Sequence, residues 1–324
     1  YRLSENDEWQ DEIPTATDVG EYKVYVRIVG DENHTDYVRD EDFCPIAYIC
    51  RAAVDYNNGA YRDPYLDFQG ALERATDGNH DDYVLNLYEN ADGFDLDAKS
   101  LNLAGGKMNR LSGNVNLTNG AKLFTKAINF LSAVIIVDDS SEIEISGGKI
   151  SGNVSGNNIL ISDAEFENVT FDGNIINYIP KGYALANKDG NLVNIYKNSV
   201  EQTCVLVKHT ANDHKLDENG VCGCGWNKVP EKNENGAYMI SDAEQLLWFS
   251  YWVNMGNNTS NAVLLNDIDL SELSFVIGSV QTPYMGTFDG CGKTVSNLNL
   301  NVTRNDTGLF GSLYGAEVRN FNIN

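Results

Sequence analysis

The stretch Leu101-Asn-Leu103-Ala-Gly-Gly-Lys107 is a short strand of alternating apolar residues that runs into a turn of small residues. Similar stretches occupy residues 115–122, 143–150 and 159–166. The last apolar strand residues are spaced by about 14 to 16 positions, and a fixed period is typical of a stacked solenoid. Residues 101–171 therefore predict a β-solenoid with a coil of that length. The anchor residues are Leu103, Leu117, Leu131, Ile145 and Ile161.

The composition of the chain predicts a mainly β protein with more than one domain. It has 324 residues, of which 42% are hydrophobic, and short apolar runs are separated by Gly, Asn, Asp and Thr. No run of 18 apolar residues is present, so we expect no membrane insertion. The chain begins at Tyr1 and ends inside a repeat, so we expect it to be a fragment of a longer protein.

The formal net charge is −24 and the isoelectric point is near 4.3. This charge disfavours binding to nucleic acid and to anionic membrane surfaces. Acidity favours solubility, and we expect a monomeric protein that is extracellular or on a bacterial cell surface. The expected partner is a host or matrix ligand, with glycans among the candidates.

We divide the sequence into four predicted segments: 1–41, 42–200, 201–228 and 229–324. The first contains a period-2 strand over residues 22–28. Its pattern A-x-D-x-G-x-Y-x-V-x-V over residues 16–26, followed by Gly30-Asp31, resembles the final strands of bacterial immunoglobulin-like surface repeats. Forty residues are too few for a sandwich, so this segment is predicted to be a strand remnant or linker.

Residues 42–200 are predicted to form a β-helix module that is capped at both ends. A helix over residues 67–75 would place Phe68, Ala71, Leu72 and Ala75 on one face. Strands around the turn 188–191 would form a closing hairpin. This order of elements resembles β-helix modules in surface proteins of gut Firmicutes, in which a helix plugs the open end of the solenoid.

Residues 229–324 predict a second capped solenoid. Ser241 and Glu244 match a capping box for a helix that ends at Gly256. The apolar pattern of residues 295–300 returns at 318–323, a step of 23 residues. We expect the aromatic side chains of this helix to pack on the solenoid end rather than to form a platform for sugars.

Residues 238–324 resemble the GLUG-repeat region of bacterial surface proteins of the IgA-peptidase type. The resemblance lies in A-E-Q-L, D-I-D-L, G-T-F-D-G-x-G-x-T-x-S-N-L and G-L-F-G, with Cys291 where Asn is common. It implies a surface protein. The zinc-protease motif H-E-x-x-H of such peptidases is missing from this sequence, so peptidase activity is not implied.

The pattern Cys204-x₄-His209-x₄-His214-x₇-Cys222-Gly-Cys224 gathers thiols and imidazoles within a short segment. These are the donors that a tetrahedral structural zinc site needs. The predicted ligands are Cys204, His214, Cys222 and Cys224, with His209 in reserve. A disulfide from Cys204 to Cys222 or Cys224, or free thiols, are the alternatives.

No catalytic constellation stands out, and we expect a non-catalytic adhesin or stalk segment for display or ligand contact. The alternatives are a carbohydrate-active β-helix lyase or hydrolase and the substrate-recognition region of a larger surface peptidase. A glycosidase needs two carboxylates across a sugar, but the acids here alternate with apolar residues, as on solvated faces. The acids considered are Asp138, Asp139, Asp163, Glu165 and Glu167.

Overall fold

The computed structural model describes residues 1–12, 14–16, 18–39, 44–106, 109–271, 273–298 and 308–324. Strands hold 44% of the residues and helices 8%, so the predicted mainly β solenoid fold is confirmed. In the part of the chain that the structure describes, no helix has the length and apolar character needed to cross a membrane.

The chain divides into two compact units. The first comprises Tyr1–Gly173 with Ser199–Thr203, and the second comprises Asn174–Asn198 with Cys204–Asn324. The division into four segments made from the sequence stays a prediction.

Among its described residues, the first unit has one helix and a series of short strands, followed by the small strand β17, Ser199–Val200. In chain order they are β1 Gly20–Lys23, β2 Arg27–Ile28, β3 Tyr37–Val38, β4 Ile46–Ile49, β5 Ala52–Tyr56, β6 Tyr61–Tyr65, α1 Phe68–Ala75, β7 Val84–Leu87, β8 Phe94–Asp97, β9 Ser100–Ala104, β10 Arg110–Thr118, β11 Lys122–Lys126, β12 Asn129–Val137, β13 Glu142–Ser155 and β14 Ile159–Phe171.

In the described part of the second unit there are shorter strands, one longer helix and two 3₁₀ turns, Ile175–Asn177 and Ala211–Asp213. They are β15 Tyr183–Asn187, β16 Leu192–Val193, β18 Cys204–Lys208, β19 Tyr238–Ile240, α2 Ala243–Asn254, β20 Ala262–Leu264, β21 Ile268–Asp269, β22 Thr287–Ser296 and β23 Glu317–Ile323.

The predicted N-terminal strand over residues 22–28 is divided between β1 and β2. Strand β1 pairs antiparallel with β4, and β2 pairs antiparallel with β3. Between them, the Val24 amide donates to the carbonyl of Pro45, while Tyr25 exchanges backbone bonds with Arg2. The chain thus changes its pairing partner midway. Residues 13, 17, 40 and 41 of this predicted segment lie outside the described residues.

The buried side chains of the first unit form three columns along the stack of coils. Neighbouring coils pair through parallel strands, so each column residue lies over its counterpart one coil earlier. All members of the columns are buried. Full burial of an apolar side chain contributes about 1.5 to 3 kcal/mol to the stability of a fold. The columns are Leu85, Leu103, Thr125, Ile145 and Ile161; Ala91, Leu111, Phe130, Ile150 and Phe166; and Phe94, Val115, Ile135, Val154 and Phe171.

The short coil period predicted from the sequence for the first solenoid is wrong. Leu103 pairs with Thr125, and Thr125 pairs with Ile145, so one coil spans about 20 residues. Leu117 belongs to a different wall of the solenoid, where it pairs with Val137. Each coil contains more than one apolar strand, and each of these strands belongs to a different wall of the solenoid. The alignment of successive strands therefore gave the distance from one wall to the next within a coil, instead of the length of a whole coil. Lys107 of the first turn lies outside the described residues.

Polar side chains form a second kind of ladder along the strands and at the turns. Asn116 Nδ2 donates to Asp95 Oδ1 at 2.6 Å, and Asn119 Nδ2 donates to Asp97 Oδ1 at 2.6 Å. The amide of one coil therefore satisfies the carboxylate one coil earlier. Asn119 also has a positive φ of 57°, which asparagine tolerates better than most residues.

Helix α1 covers the first coils, as the sequence predicted. Asp67 is its N-cap, because its carboxylate accepts a hydrogen bond from the amide of Gly70 at 2.7 Å. Ala71, Leu72 and Ala75 are buried, and the Phe68 ring packs on a residue of the solenoid core.

The second unit begins with the predicted hairpin, in which β15 pairs antiparallel with β16. Its solenoid part has longer coils than the first. Phe288 pairs with Val318, and Val295 pairs with Ile323, so one coil here spans about 30 residues. The shorter step predicted from the sequence is therefore wrong, because it matched two different positions of the coil. Residues 299 and 300 of that match lie outside the described residues.

Helix α2 begins one residue later than the predicted capping box implies. Asp242 is the N-cap and accepts a hydrogen bond from the Gln245 amide at 2.8 Å, while the Ser241 hydroxyl donates to the Gln245 side chain. Glu244 lies in the first turn. Gly256 follows the helix with a φ of +111°, in agreement with the predicted stop.

The aromatic residues of α2 pack inward. Trp248 and Phe249 are fully buried, and the Phe249 ring lies 6.0 Å from Tyr284 and 6.3 Å from Phe288. This confirms the prediction that the helix covers the solenoid core with its aromatic residues. Trp248 also donates its indole N–H to the Gly220 carbonyl at 2.8 Å.

The distance between adjacent coils predicts which glycines tolerate a side chain. A Cβ on Gly148 would lie 2.0 Å from the Ile128 carbonyl oxygen, and its φ is +82°. Gly120 has the same backbone conformation, φ +83°, but its Cβ would meet nothing closer than 3.9 Å. Gly120→Ala should therefore cost about 1 to 2 kcal/mol for the left-handed backbone alone. Gly148→Ala should cost about 1 to 3 kcal/mol more, because two coils must separate.

The two variants are compared by guanidinium unfolding followed by circular dichroism, with hydrogen exchange on peptides from residues 109–171. Equal losses of stability in both variants would contradict the close approach of the coils at Gly148.

Candidate functional site

The two histidines of the site flank a capped 3₁₀ turn. The Asp213 carboxylate accepts bonds from the Thr210 amide at 2.7 Å and from the Thr210 hydroxyl at 2.8 Å, and the Asp213 amide bonds back to Thr210. The bonds from Thr210, first from its hydroxyl and then from its amide, lower the pKa of Asp213. This cap sets the chain direction on both sides of the turn. As a result, His209 and His214 meet, with Nε2 of the first 3.0 Å from Nδ1 of the second.

The two cysteines lie on a second tight turn of the same segment. The Asp217 carboxylate accepts bonds from the amides of Asn219 and Val221, both at 2.9 Å, and this turn leads the chain to Cys222. The amide of Gly225 then bonds to the Cys222 carbonyl at 2.7 Å, which folds the Cys-Gly-Cys sequence back on itself.

Together these turns place four metal-binding side chains in one cluster. The ligand atoms of His209, His214, Cys222 and Cys224 all lie within 4.8 Å of one another. Cys222 Sγ is 3.5 Å from His209 Nε2, and Cys224 Sγ is 3.7 Å from His214 Nδ1. In a tetrahedral zinc site the distances between ligand atoms are about 3.3 to 3.8 Å, which follows from Zn–S and Zn–N bond lengths. The cluster could hold a metal ion of this kind.

The electrostatics of the two thiols favour a cation between them. The hydrogen bond between the sulfurs lowers the pKa of Cys222 and raises the pKa of Cys224, since the bond favours one thiolate and one thiol. Both side chains are buried, and two adjacent thiolates repel each other. A divalent cation removes this repulsion and deprotonates coordinating thiols.

Aromatic packing fixes the orientation of the His214 ring. It stacks on the indole of Trp226 with the ring centres 4.2 Å apart and an angle of 6° between the planes. The Trp226 amide donates to Cys224 Sγ at 3.4 Å, and bonds of this kind orient the ligands of metal sites. Tyr251 of α2 donates its hydroxyl to the Ala211 carbonyl, so the cluster is attached to the capping helix.

The structure groups three of the four predicted ligands and adds the reserve residue. His214, Cys222 and Cys224 lie in the cluster, and His209 occupies the place predicted for Cys204. Cys204 is at the start of β18, where it pairs with Asn187. Burial raises the pKa of its thiol, so it behaves as a small apolar side chain.

The signal that would have selected His209 is the Thr210-x-x-Asp213 cap, which brings positions 209 and 214 together. Trp226 was not among the residues predicted for the site. An aromatic residue two positions after the second cysteine is too common a feature to identify it from spacing alone.

Cys204, Cys222 and Cys224 are free thiols, so the disulfide alternatives are not formed in this structure. Cys44 is buried, Cys50 is half-buried and Cys291 is exposed.

The acidic residues considered for catalysis support turns and strand pairs. Asp138 accepts hydrogen bonds from Ser141, from the amide of Asn119 and from Ser140, and these bonds lower its pKa far below the ordinary value. Glu165 forms an ion pair with Lys149 at 3.0 Å on the adjacent coil.

Asp139 and Glu167 also form contacts with other residues of the protein. Asp139 accepts a bond from Asn157 Nδ2 at 2.9 Å, and Glu167 pairs with Lys149 and accepts a bond from Thr203.

Comparisons with protein-family models, curated proteins and solved structures found no match for this chain. Its proposed function therefore rests on the geometry described above.

The position of Cys204 outside the cluster gives a direct test of the ligand set. Cys222→Ser should abolish the thiolate-to-cobalt charge-transfer band of the Co²⁺-substituted protein or shift it strongly, because one of two sulfur ligands is lost. Cys204→Ser is the matched control and should leave that band unchanged. A band that responds to Cys204 but not to Cys222 would contradict the observed grouping.

Proposed function

We propose that this chain is a non-catalytic segment of an extracellular bacterial surface protein, a stalk or adhesin segment held in shape by one structural zinc ion. The observation that carries the proposal is the cluster of two imidazoles and two thiols within 4.8 Å. Cysteine and histidine donors are typical of zinc, and four protein ligands leave no position for a reactive water.

The position of the cluster supports a structural role for the metal. The Cys/His segment has few strands: β18 ends at Lys208, and the next described strand, β19, begins at Tyr238. Hydrogen bonds tie this segment to α2 at two points, from Trp248 to Gly220 and from Tyr251 to Ala211. A metal ion adds a third connection in a segment that has little core of its own.

The solenoid acids support a non-catalytic role for the first unit. A glycosidase pair needs one carboxyl that stays protonated near neutral pH while the other is ionised. Three neighbouring residues lower the pKa of Asp138, so its environment does not favour a protonated acid, and Glu165 is engaged in an ion pair with Lys149. Extended polar walls of this kind suit display or contact with a ligand.

Metal removal tests the structural role. We expect one zinc ion per chain by elemental analysis. Saturating zinc should stabilise the second unit by about 4 kcal/mol when free metal exceeds the dissociation constant a thousandfold. Hydrogen exchange should rise after chelation in peptides covering residues 204–226 and α2, because those backbone bonds depend on the site.

Peptides from the solenoid of the first unit serve as the internal control and should keep their protection. Protection in residues 204–226 that does not change after complete chelation would contradict the structural role of the metal.

The non-catalytic role is tested with neutral and acidic polysaccharides. The chain should release no reducing ends and no unsaturated products after prolonged incubation. Cleavage that disappears in Asp138→Asn and Glu165→Gln variants, while the fold measured by circular dichroism is unchanged, would overturn the proposal in favour of a carbohydrate-active enzyme.

A further inference from the structure

The second unit contains an open cleft of about 850 Å³ beside the Cys/His cluster. His209, His214 and Cys224 lie on one wall, so the residues that gather at the cluster also shape the cleft. This volume lies within the range of about 300 to 1,000 Å³ that is typical of small-molecule sites.

Other parts of the lining come from four further places in the same unit. The closing hairpin and the turn before it contribute Lys181 and Tyr183, the loop after β16 contributes Tyr196, and the first turn of α2 contributes Glu244. Asp269, at the end of β21, also lines the cleft. Side chains distant in sequence thus converge on one space.

Two aromatic rings of the cleft are partly open to solvent. Tyr183 is 39% exposed and Tyr196 is 37% exposed, whereas Trp248 and Phe249 of the same unit are buried in its core. The hydroxyl of each ring is a hydrogen-bond donor and acceptor. The rings offer flat apolar faces next to polar groups.

The charges of the cleft disfavour an anionic ligand. Among the lining residues that the structure describes, the carboxylates of Glu244 and Asp269 are accompanied by a single ammonium, that of Lys181. The chain as a whole carries a formal charge of −24. An acidic glycan, a phosphate or an acidic peptide would be repelled.

The two carboxylates are also engaged within the protein, which weakens the case for a cationic ligand. Glu244 is paired with Lys228, and Asp269 accepts bonds at 2.9 Å from Asn297 Nδ2 and from the amide of Ser271. The bonds from Asn297 and Ser271 lower the pKa of Asp269, so it stays an ionised acceptor.

We propose that this cleft binds a neutral oligosaccharide, with sugar rings stacked on Tyr183 and Tyr196 and hydroxyls bonded to Asn212, Lys181 and Asp269. A pyranose ring has one apolar C–H face and a rim of hydroxyls, and this combination fits exposed aromatic faces beside groups that donate or accept hydrogen bonds. The inference names a ligand class for the proposed non-catalytic contact role and rests on that role.

Isothermal titration calorimetry and saturation-transfer difference NMR on the zinc-loaded chain test the inference. The probes are neutral hexasaccharides of glucose, N-acetylglucosamine, galactose and xylose. At least one should bind with a dissociation constant of about 1 mM or tighter. Tyr183→Ala and Tyr196→Ala should each weaken that binding by about tenfold, because each removes a stacking face. Tyr196→Phe keeps the ring and should retain most of the affinity.

Tyr314→Ala is the matched control, because Tyr314 is 69% exposed in the same unit and does not line the cleft. Absence of binding to all four hexasaccharides, or binding that persists in the Tyr183→Ala/Tyr196→Ala double variant, would overturn the inference. Preferential binding of a hexalysine peptide at the same residues would also overturn it.

Product analysis in the same samples separates this inference from the proposed function. Binding without cleavage supports both. Cleavage of a bound hexasaccharide would overturn the non-catalytic role even if the cleft binds sugar, whereas failure to bind would leave that role standing.

Discussion

The parallel backbone ladder between successive coils is the interaction on which the rest of this structure depends. A single coil of about 20 residues cannot bury its own apolar side chains, so each relies on the coil before it. Phe130 between Leu111 and Ile150 illustrates this dependence, because its ring is buried only when both neighbouring coils are present. The same logic requires a cover wherever a stack begins, and α1 and α2 provide it with their buried side chains.

Much of this architecture could be predicted from the sequence. The two coil lengths that were predicted wrongly have a common cause. The alternation of apolar and polar residues predicted strands, and local signals located both helices and the closing hairpin. The coil length could not be found in the same way. Leu103 and Leu117 have nearly identical surroundings in sequence, yet they lie on different walls. Only the pairing of strands, which is a long-range property, distinguishes a wall repeat from a coil repeat.

The Cys/His site also could be predicted only in part from local sequence. Residue types and approximate spacing predicted a cluster, and three of the four residues chosen lie in it. The choice between Cys204 and His209 depended on where strand β18 ends and on the direction imposed by the Thr210–Asp213 cap. Residue types and spacing alone placed Cys204 in the predicted set and left His209 in reserve. The cap turns the chain so that the histidine reaches the cluster.

The same kind of hydrogen bond between coils reduces the repulsion between carboxylates in both units. Carboxylates stacked on successive coils would repel one another at close range, yet here an asparagine of the next coil bonds to the aspartate. Asn119 above Asp97 and Asn297 above Asp269 are equivalent examples. An amide donor satisfies the carboxylate without adding a positive charge, so the walls stay strongly acidic while the stack stays closed. This arrangement lets coils stack in a chain with a net charge of −24, a charge that repels anions.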